Sequence, residues 1–196
     1  MPRPPFDHFR FIAPVYDCFF NPRLVDQRHI RAALDLPAAG WLLDAGGGTG
    51  RVSQLLRDQV GGVVVVDGSP GMLRQARHKA GLGVTQALVE QLPFADGLFA
   101  RILVVDAFHH FHDHERAARE LWRVLRPGGR LLIEEPNIER WPVRLVALGE
   151  KLLLMRSRFF RAEELRRLFS ARPDARVALS TDGDPFSLQV IVDKVA

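Results

Sequence analysis

Three groups of residues in this 196-residue chain have the types and spacing to do chemistry. The first is the run Asp44-Ala-Gly-Gly-Gly-Thr-Gly50, where missing Cβ atoms let a ligand come against the backbone. A dinucleotide loop needs G-x-G-x-x-G, but Arg51 occupies the last position counted from Gly46 and Gly48, and Thr49 breaks the count from Gly47. The pattern that fits is Asp-x-Gly-x-Gly-x-Gly on Asp44, Gly46, Gly48 and Gly50. An acid there repels a pyrophosphate and can receive an ammonium, directly or through water. The second group is Asp67, at the end of the next apolar run, where a carboxylate can accept two ribose hydroxyls. Together they imply a nucleoside carrying a positive amino group. Taken singly, the glycines also suit a plain strand-to-helix turn, and Asp67 a cap before Gly68-Ser-Pro70.

The third group is His109-His-Phe-His-Asp-His114, four of the seven histidines. Adjacent histidines diverge, and no second cluster of Cys, His or Glu completes a ligand set, so no metal is expected. Asp106 precedes the cluster at what reads as a strand end. There His109 or His110 could take a proton from a phenol, hydroquinone or acidic carbon, or serve as a wall of the pocket. Glu134 and Glu135 alternate along a strand, so at most one faces that pocket. His112 and His114 are expected at a helix start, facing solvent.

These residues need a scaffold that brings strand ends to one edge. Trp41–Ala45, Val63–Val66, Val84–Leu88, Ile102–Val105 and Leu131–Ile133 are short apolar runs bounded by Gly, Pro or Asp, and read as buried strands. Helix signals separate them: residues 51–59 after the glycines, 70–80 with Ser69 as N-cap and Pro70 at the first position, and 114–125 capped by Asp113 and stopped at Pro127. Such alternation implies a parallel sheet covered on both faces. A helix over 162–170 then leads to strand-like runs 176–180 and 186–192, joined by the turn residues 181–185 as an antiparallel hairpin.

The runs Leu42–Gly50, Val65–Leu73, Glu90–Phe94, Ala107–Phe111 and Arg123–Arg130 resemble, in order, the motifs of class I S-adenosylmethionine-dependent methyltransferases. Phe6–Asp17 and Glu134-Glu-Pro136 are similar to the group that contains the ubiquinone/menaquinone-biosynthesis C-methyltransferases and other small-molecule methyltransferases. The resemblance implies an α/β fold, a Rossmann-like three-layer sandwich with a seven-stranded, mostly parallel sheet ending in the hairpin. It implies S-adenosyl-L-methionine as cofactor: Gly46, Gly48 and Gly50 under its methionine and ribose portions, Asp44 at the amino end, Asp67 and Gly68 at the ribose. Met72 would lie against the adenine or in the core of its helix. An acid often binds the adenine amino group two residues before the Glu90 position; here that residue is Leu88, leaving the Val89 backbone and Glu90 as neighbours. Asp106 borders the methyl donor, and Phe9 and Tyr16 belong to an N-terminal cover or to the core.

Composition bounds the rest. Hydrophobic residues at 47% and charged residues at 26% suit one folded domain over 1–196 and exclude bulk disorder. Its expected parts are a cover over 1–40, a cofactor core over 41–136, a lid over 137–160 and a closing helix and hairpin over 161–196. The net charge of +4 is spread along the chain, and all but Lys79, Lys151 and Lys194 of the 27 basic residues are arginine; no nucleic-acid partner is expected. Cys18 is the only cysteine, so a disulfide framework is excluded. With no membrane-span pattern, a cytoplasmic protein is expected. Residues 138–160 mix Trp141, Leu145, Leu148 and Leu152–Met155 with arginines, which suits a core helix, a lid over a lipophilic pocket, a dimer face or a weak contact with a membrane surface. The expected activity is methyl transfer to a small, apolar or aromatic acceptor. The alternatives are a cofactor-binding protein without turnover, a nicotinamide-dependent oxidoreductase and, against the scattered arginines, an RNA methyltransferase.

Overall fold

The computed structural model describes residues 27–141, 143, 157–180 and 186–196, together with Ala13, Pro14, Tyr16 and Asp17. Phe6, Phe9, Leu145, Leu148, Leu152–Met155 and the turn residues 181–185, singled out above, lie outside them.

Seven strands form one sheet: β1 Ala38–Ala45, β2 Val60–Asp67, β3 Leu82–Gln86, β4 Phe99–Val105, β5 Leu125–Pro136, β6 Ala175–Ser180 and β7 Ser187–Lys194. Their order is β3-β2-β1-β4-β5-β7-β6. The first five run parallel, while β7 pairs antiparallel with both β5 and β6, so the expected hairpin closes the sheet. The described helices are α1 Gln27–Ala33, α2 Ser53–Leu56, α3 Pro70–Arg77, α4 His114–Val124 and α5 Ala162–Ser170.

The continuous apolar strands bury side chains on both faces, as a covered parallel sheet requires. On one face Leu43, Ile102, Val104, Leu131 and Ile133 pack with Leu121 of α4 and Leu165 and Phe169 of α5. On the other, Leu42, Leu103 and Leu132 pack with Ile30 of α1 and Leu56 of α2. The segment 27–36, expected as part of a cover, thus contributes a layer of the core. Asp113 and Ser69 cap α4 and α3 as their sequences indicate, each side-chain oxygen accepting a backbone N–H.

Three expectations are corrected. The helix over 51–59 is a four-residue α2 continued by a 3-10 turn over Arg57–Gln59, because Val52 offers no capping side chain and β2 begins at Val60. Strand β3 ends at Gln86, before Leu88, and a 3-10 turn over Val89–Gln91 comes next. Strand β5 extends far beyond Leu131–Ile133, because two neighbours, β4 and β7, hold it along its length. Among the described residues no helix is long and apolar enough to cross a membrane.

Candidate functional site

The carboxyl ends of β1, β2 and β4 meet at one edge, and most of the residues singled out from sequence gather there. Gly46, Gly48 and Gly50 all have positive φ, 73°, 55° and 69°, which L side chains rarely adopt. A Cβ on Gly46 would lie 2.7 Å from the Ala107 Cβ and 3.1 Å from the Phe111 ring, so the loop after β4 closes against the glycine loop. On Gly48 the nearest atom would be Asp67 Oδ2 at 3.9 Å, leaving room for a ligand against the backbone.

Asp44 is 3% exposed, beneath the loop rather than displayed on it. Its Oδ2 accepts the Ser53 hydroxyl at 2.6 Å, and a Cβ on Gly47 would strike the same carboxyl at 2.5 Å. Burial pushes the Asp44 carboxyl up to about 6, against the opposing pull of the Ser53 hydroxyl and Arg51. Asp67 ties two loops: Oδ2 accepts Gly48 N–H at 2.9 Å and Oδ1 accepts Ser69 N–H at 2.7 Å. A carboxylate oxygen accepts more than one hydrogen bond, so a ligand hydroxyl can share each with the loop amide. Gly68 is the next residue, and Met72 is buried in the first turn of α3.

Leu88 stands 51% exposed beside Gly68, 3.4 Å from where a Cβ would be. Val89 and Glu90 are buried behind it. Glu90 Oε1 is turned away to accept His112 N–H at 2.7 Å and Asp113 N–H at 3.3 Å, joining the turn after β3 to the loop after β4.

Asp106, at the end of β4, adopts φ 50°, outside the usual range of a non-glycine residue. Its carboxyl rises to about 6 through burial and the neighbouring Glu135 and Glu134 charges, opposed by Arg51. Arg51 Nη2 lies 3.0 Å from Asp106 Oδ2. Tyr16, half-buried, hydrogen-bonds Arg51, and burial raises its phenol above the ordinary 10.0.

Glu135 organises the histidine turn. Its Oε1 accepts Ala107 N–H at 2.9 Å and Phe108 N–H at 2.7 Å; its Oε2 accepts His109 N–H at 3.3 Å and sits 2.5 Å from His109 Nδ1. A carboxylate only accepts, so His109 Nδ1 donates. His109 is 3% exposed and stacked on Phe159 at 4.7 Å. His110 takes a hydrogen bond with Ser157 at 3.1 Å, and burial together with His109 pushes it down to about 3. His110 is therefore a neutral imidazole at ordinary pH. Glu134 points to the opposite face, paired with His29 at 3.1 Å and Gln189 at 2.6 Å. His112 is exposed as expected, but His114 is not: its ring packs on Phe108 and Phe160, 5.4 and 4.7 Å between centroids. A cavity of about 300 Å³ opens here between His110, Phe111, His112, His114 and Arg158. Among the described residues no three His, Cys, Asp or Glu side chains gather as a metal site would require.

Sequence reasoning missed several members of this region. Arg51 registered only as the residue spoiling a dinucleotide fingerprint, yet it pairs with Asp106. Asp17 receives both the Thr49 hydroxyl at 2.5 Å and Lys79 Nζ at 2.7 Å, and Lys79 also donates to the Thr49 carbonyl. These contacts span 55, 32, 62 and 30 positions, beyond the reach of any local pattern.

Residues 43–133 match the family described as a methyltransferase domain. Over 140 residues the chain is 41% identical to the demethylmenaquinone methyltransferase of Thermus thermophilus, a match covering 65% of this chain and 63% of the relative. It is 38% identical over 105 residues to the ubiquinone/menaquinone biosynthesis C-methyltransferase of Vibrio parahaemolyticus, covering 48% and 40%. The chain thus spans less than two thirds of the length of either relative. A SAM-dependent methyltransferase structure from Aquifex aeolicus superposes with a TM-score of 0.77 at 18% identity, over 95% of this chain and 98% of that one. At that identity the likeness concerns the fold.

Proposed function

We propose that the chain, which matches a methyltransferase-domain family over residues 43–133 and is similar to the ubiquinone/menaquinone-biosynthesis enzymes, is a class I S-adenosylmethionine-dependent methyltransferase acting on a small acceptor built on an aromatic or quinone-type ring. The observation that carries the reading is the positive-φ glycine loop framed by Asp44 below and Asp67 opposite Gly48. When bound, S-adenosylmethionine supplies a methyl group on a positively charged sulfur. Gly46, Gly48 and Gly50 give it backbone to lie on, and Asp67 with Gly68 takes the ribose hydroxyls. Asp44 acts on the amino end through its field and through water. Met72, Val89 and Glu90 border the adenine, with Leu88 as an apolar face in place of an acid. Tyr16, Arg51 and Asp106 close the methionine end.

Methyl transfer is an in-line displacement, so the chain's residues chiefly align the partners and exclude water. Glu135 holds the turn over 107–109 that walls the reacting space, and His110 offers a neutral hydrogen bond rather than a proton sink. His109, oriented by Glu135 but buried, shapes the same wall. Tyr16, through its hydrogen bond to Arg51, and Ser157, through His110, border the same edge.

Thermal unfolding with S-adenosylmethionine, S-adenosylhomocysteine or NAD tests the reading. Ligand at about 100 times its dissociation constant adds roughly 2.7 kcal/mol, a shift of several degrees. A shift with both adenosyl compounds that Asp67→Ala abolishes is expected. A shift with NAD alone overturns the proposal in favour of an oxidoreductase.

A further inference from the structure

We infer that the site meets the 6-position of the cofactor's purine with the apolar side chain of Leu88 and with no carboxylate, so that it takes adenosyl compounds whose 6-amino group is alkylated or missing as readily as the parent compound. The inference rests on the methyltransferase reading and names the cofactor specificity of that same site.

The strand order sets where the purine lies. The methionine end belongs to Arg51, just after the glycine loop of β1, and to Asp106 at the end of β4. Asp67, at the end of β2, takes the ribose, and its Oδ2 faces the glycine loop through Gly48. In the order β3-β2-β1-β4 the base, joined to the ribose carbon beside one of those hydroxyls, therefore continues away from β1, over Gly68 and the turn after β3. That turn is fixed to β2: Gln86 pairs with Asp67 in the sheet, and the Ala87 N–H donates to the Asp67 carbonyl at 3.2 Å. Leu88 comes next, its Cδ2 3.4 Å from where a Cβ on Gly68 would stand. At 51% exposure it is an open apolar rim rather than a member of the core.

Near this turn, among the described residues, no carboxylate is left to receive an amino group. Glu90 is buried, and its Oε1 accepts the His112 and Asp113 N–H groups. Glu120 accepts the Leu92 N–H and pairs with Arg123, which also holds Asp96. Asp67 itself carries two loop amides. At an open rim the 6-amino group keeps its hydrogen bonds with water, so replacing it by hydrogen removes no contact with the protein. Methyl groups in place of its hydrogens add apolar area against Leu88, which favours binding.

Calorimetric titration of the full chain with S-adenosylhomocysteine, its 6-deamino analogue and its 6-dimethylamino analogue tests this. All three keep the neighbouring ring nitrogen as an acceptor, so a backbone donor serves them equally. The parent chain should bind the three within about threefold of one another, the dimethylamino compound equally or more tightly. Leu88→Asp puts an acceptor at the rim, and S-adenosylhomocysteine should then bind about tenfold tighter than either analogue, the size of one charge-assisted hydrogen bond. Leu88→Asn, with a neutral acceptor, should give the same order by a smaller margin, and it decides the matter if the aspartate variant does not fold. A parent chain that binds S-adenosylhomocysteine about tenfold tighter than the deamino analogue overturns the inference, because another group then reads the amino hydrogens. So does a similar loss for the dimethylamino analogue, which would mean an enclosed 6-position, or equal binding of all three compounds by both variants, which would place Leu88 away from the purine. Failure of S-adenosylhomocysteine itself to bind the parent chain overturns the methyltransferase reading instead, so the two failures are distinct.

Discussion

Asp44→Asn isolates the electrostatic cost of the acid beneath the glycine loop. Burial raises the Asp44 carboxyl from an ordinary 3.8 to about 6. One pKa unit corresponds to 1.36 kcal/mol, so holding the carboxylate ionised in the folded chain costs about 3 kcal/mol above pH 6. Since the folded value lies above the unfolded one, the stabilising contribution is fully present below pH 3.8 and is lost as pH rises through 6. Asparagine has the same shape, can still accept the Ser53 hydroxyl, and does not titrate. Without ligand, the unfolding free energy of the variant minus that of the parent should be near zero around pH 4 and climb to about 3 kcal/mol around pH 7.5. For a chain of this size that is a difference of roughly 6–12 °C in midpoint. A bound ammonium reverses the balance, because it favours the carboxylate. Affinity of the parent for S-adenosylhomocysteine should rise with pH through 6, by up to about a hundredfold if the carboxyl returns to its ordinary value, while the variant binds weakly at all pH. Urea unfolding and calorimetric titration at matched pH steps measure both quantities. A stability difference that does not change with pH, or equally flat affinities in both proteins, would refute the argument.

The contacts around the loop give two further outcomes. Glu135→Gln puts an amide where a carboxylate accepts three backbone N–H groups and the His109 ring, and should cost about 3 kcal/mol of stability in urea unfolding; a loss under about 0.5 kcal/mol would mean that this carboxylate does not hold the turn. Lys79→Met removes the cation that bridges Asp17 and the Thr49 carbonyl; stability should fall by no more than about 1 kcal/mol, while stopped-flow dissociation of S-adenosylhomocysteine quickens several-fold, and an unchanged rate would show that the Tyr16–Asp17 segment does not gate the site.

What could be read from sequence was local. Ser69 and Asp113 act within three residues of their own positions, so their caps are legible from spacing alone. The strand runs are legible because burial on both faces demands uninterrupted apolar residues, and the glycines because their spacing excludes a dinucleotide loop. The limits of α2 and β5 were not legible, since α2 is cut short by the start of β2 and β5 is prolonged by pairing with strands from distant parts of the chain. The same reason hid the partners of the charged residues. Nothing near Arg51 indicates Asp106, and nothing near His114 indicates Phe160; both pairs arise only once β4 has been set beside β1 and the chain before α5 has returned over the histidine turn. Sequence placed His114 in solvent because helix starts are commonly wet, and tertiary packing reversed it.

The adjacent glutamates of β5 show how the fold stiffens a site made largely of loops. Successive strand residues face opposite ways, so Glu134 and Glu135 reach different layers. Glu134 meets His29 of α1 and Gln189 of β7, while Glu135 gathers the amides of the turn after β4. The loop bearing the histidines is thus fastened to a strand held by hydrogen bonds on both sides, and the helix on the opposite face is fastened to the neighbouring residue. A turn supported in this way keeps its geometry without relying on its own contacts, which is what alignment-driven chemistry requires. The Arg51–Asp106 pair stands where the two supports meet, among the described residues the one strand end with a left-handed non-glycine residue. Strain at Asp106 is tolerable because strand β4 fixes the chain leading into it and Glu135 of β5 fixes the turn leading out.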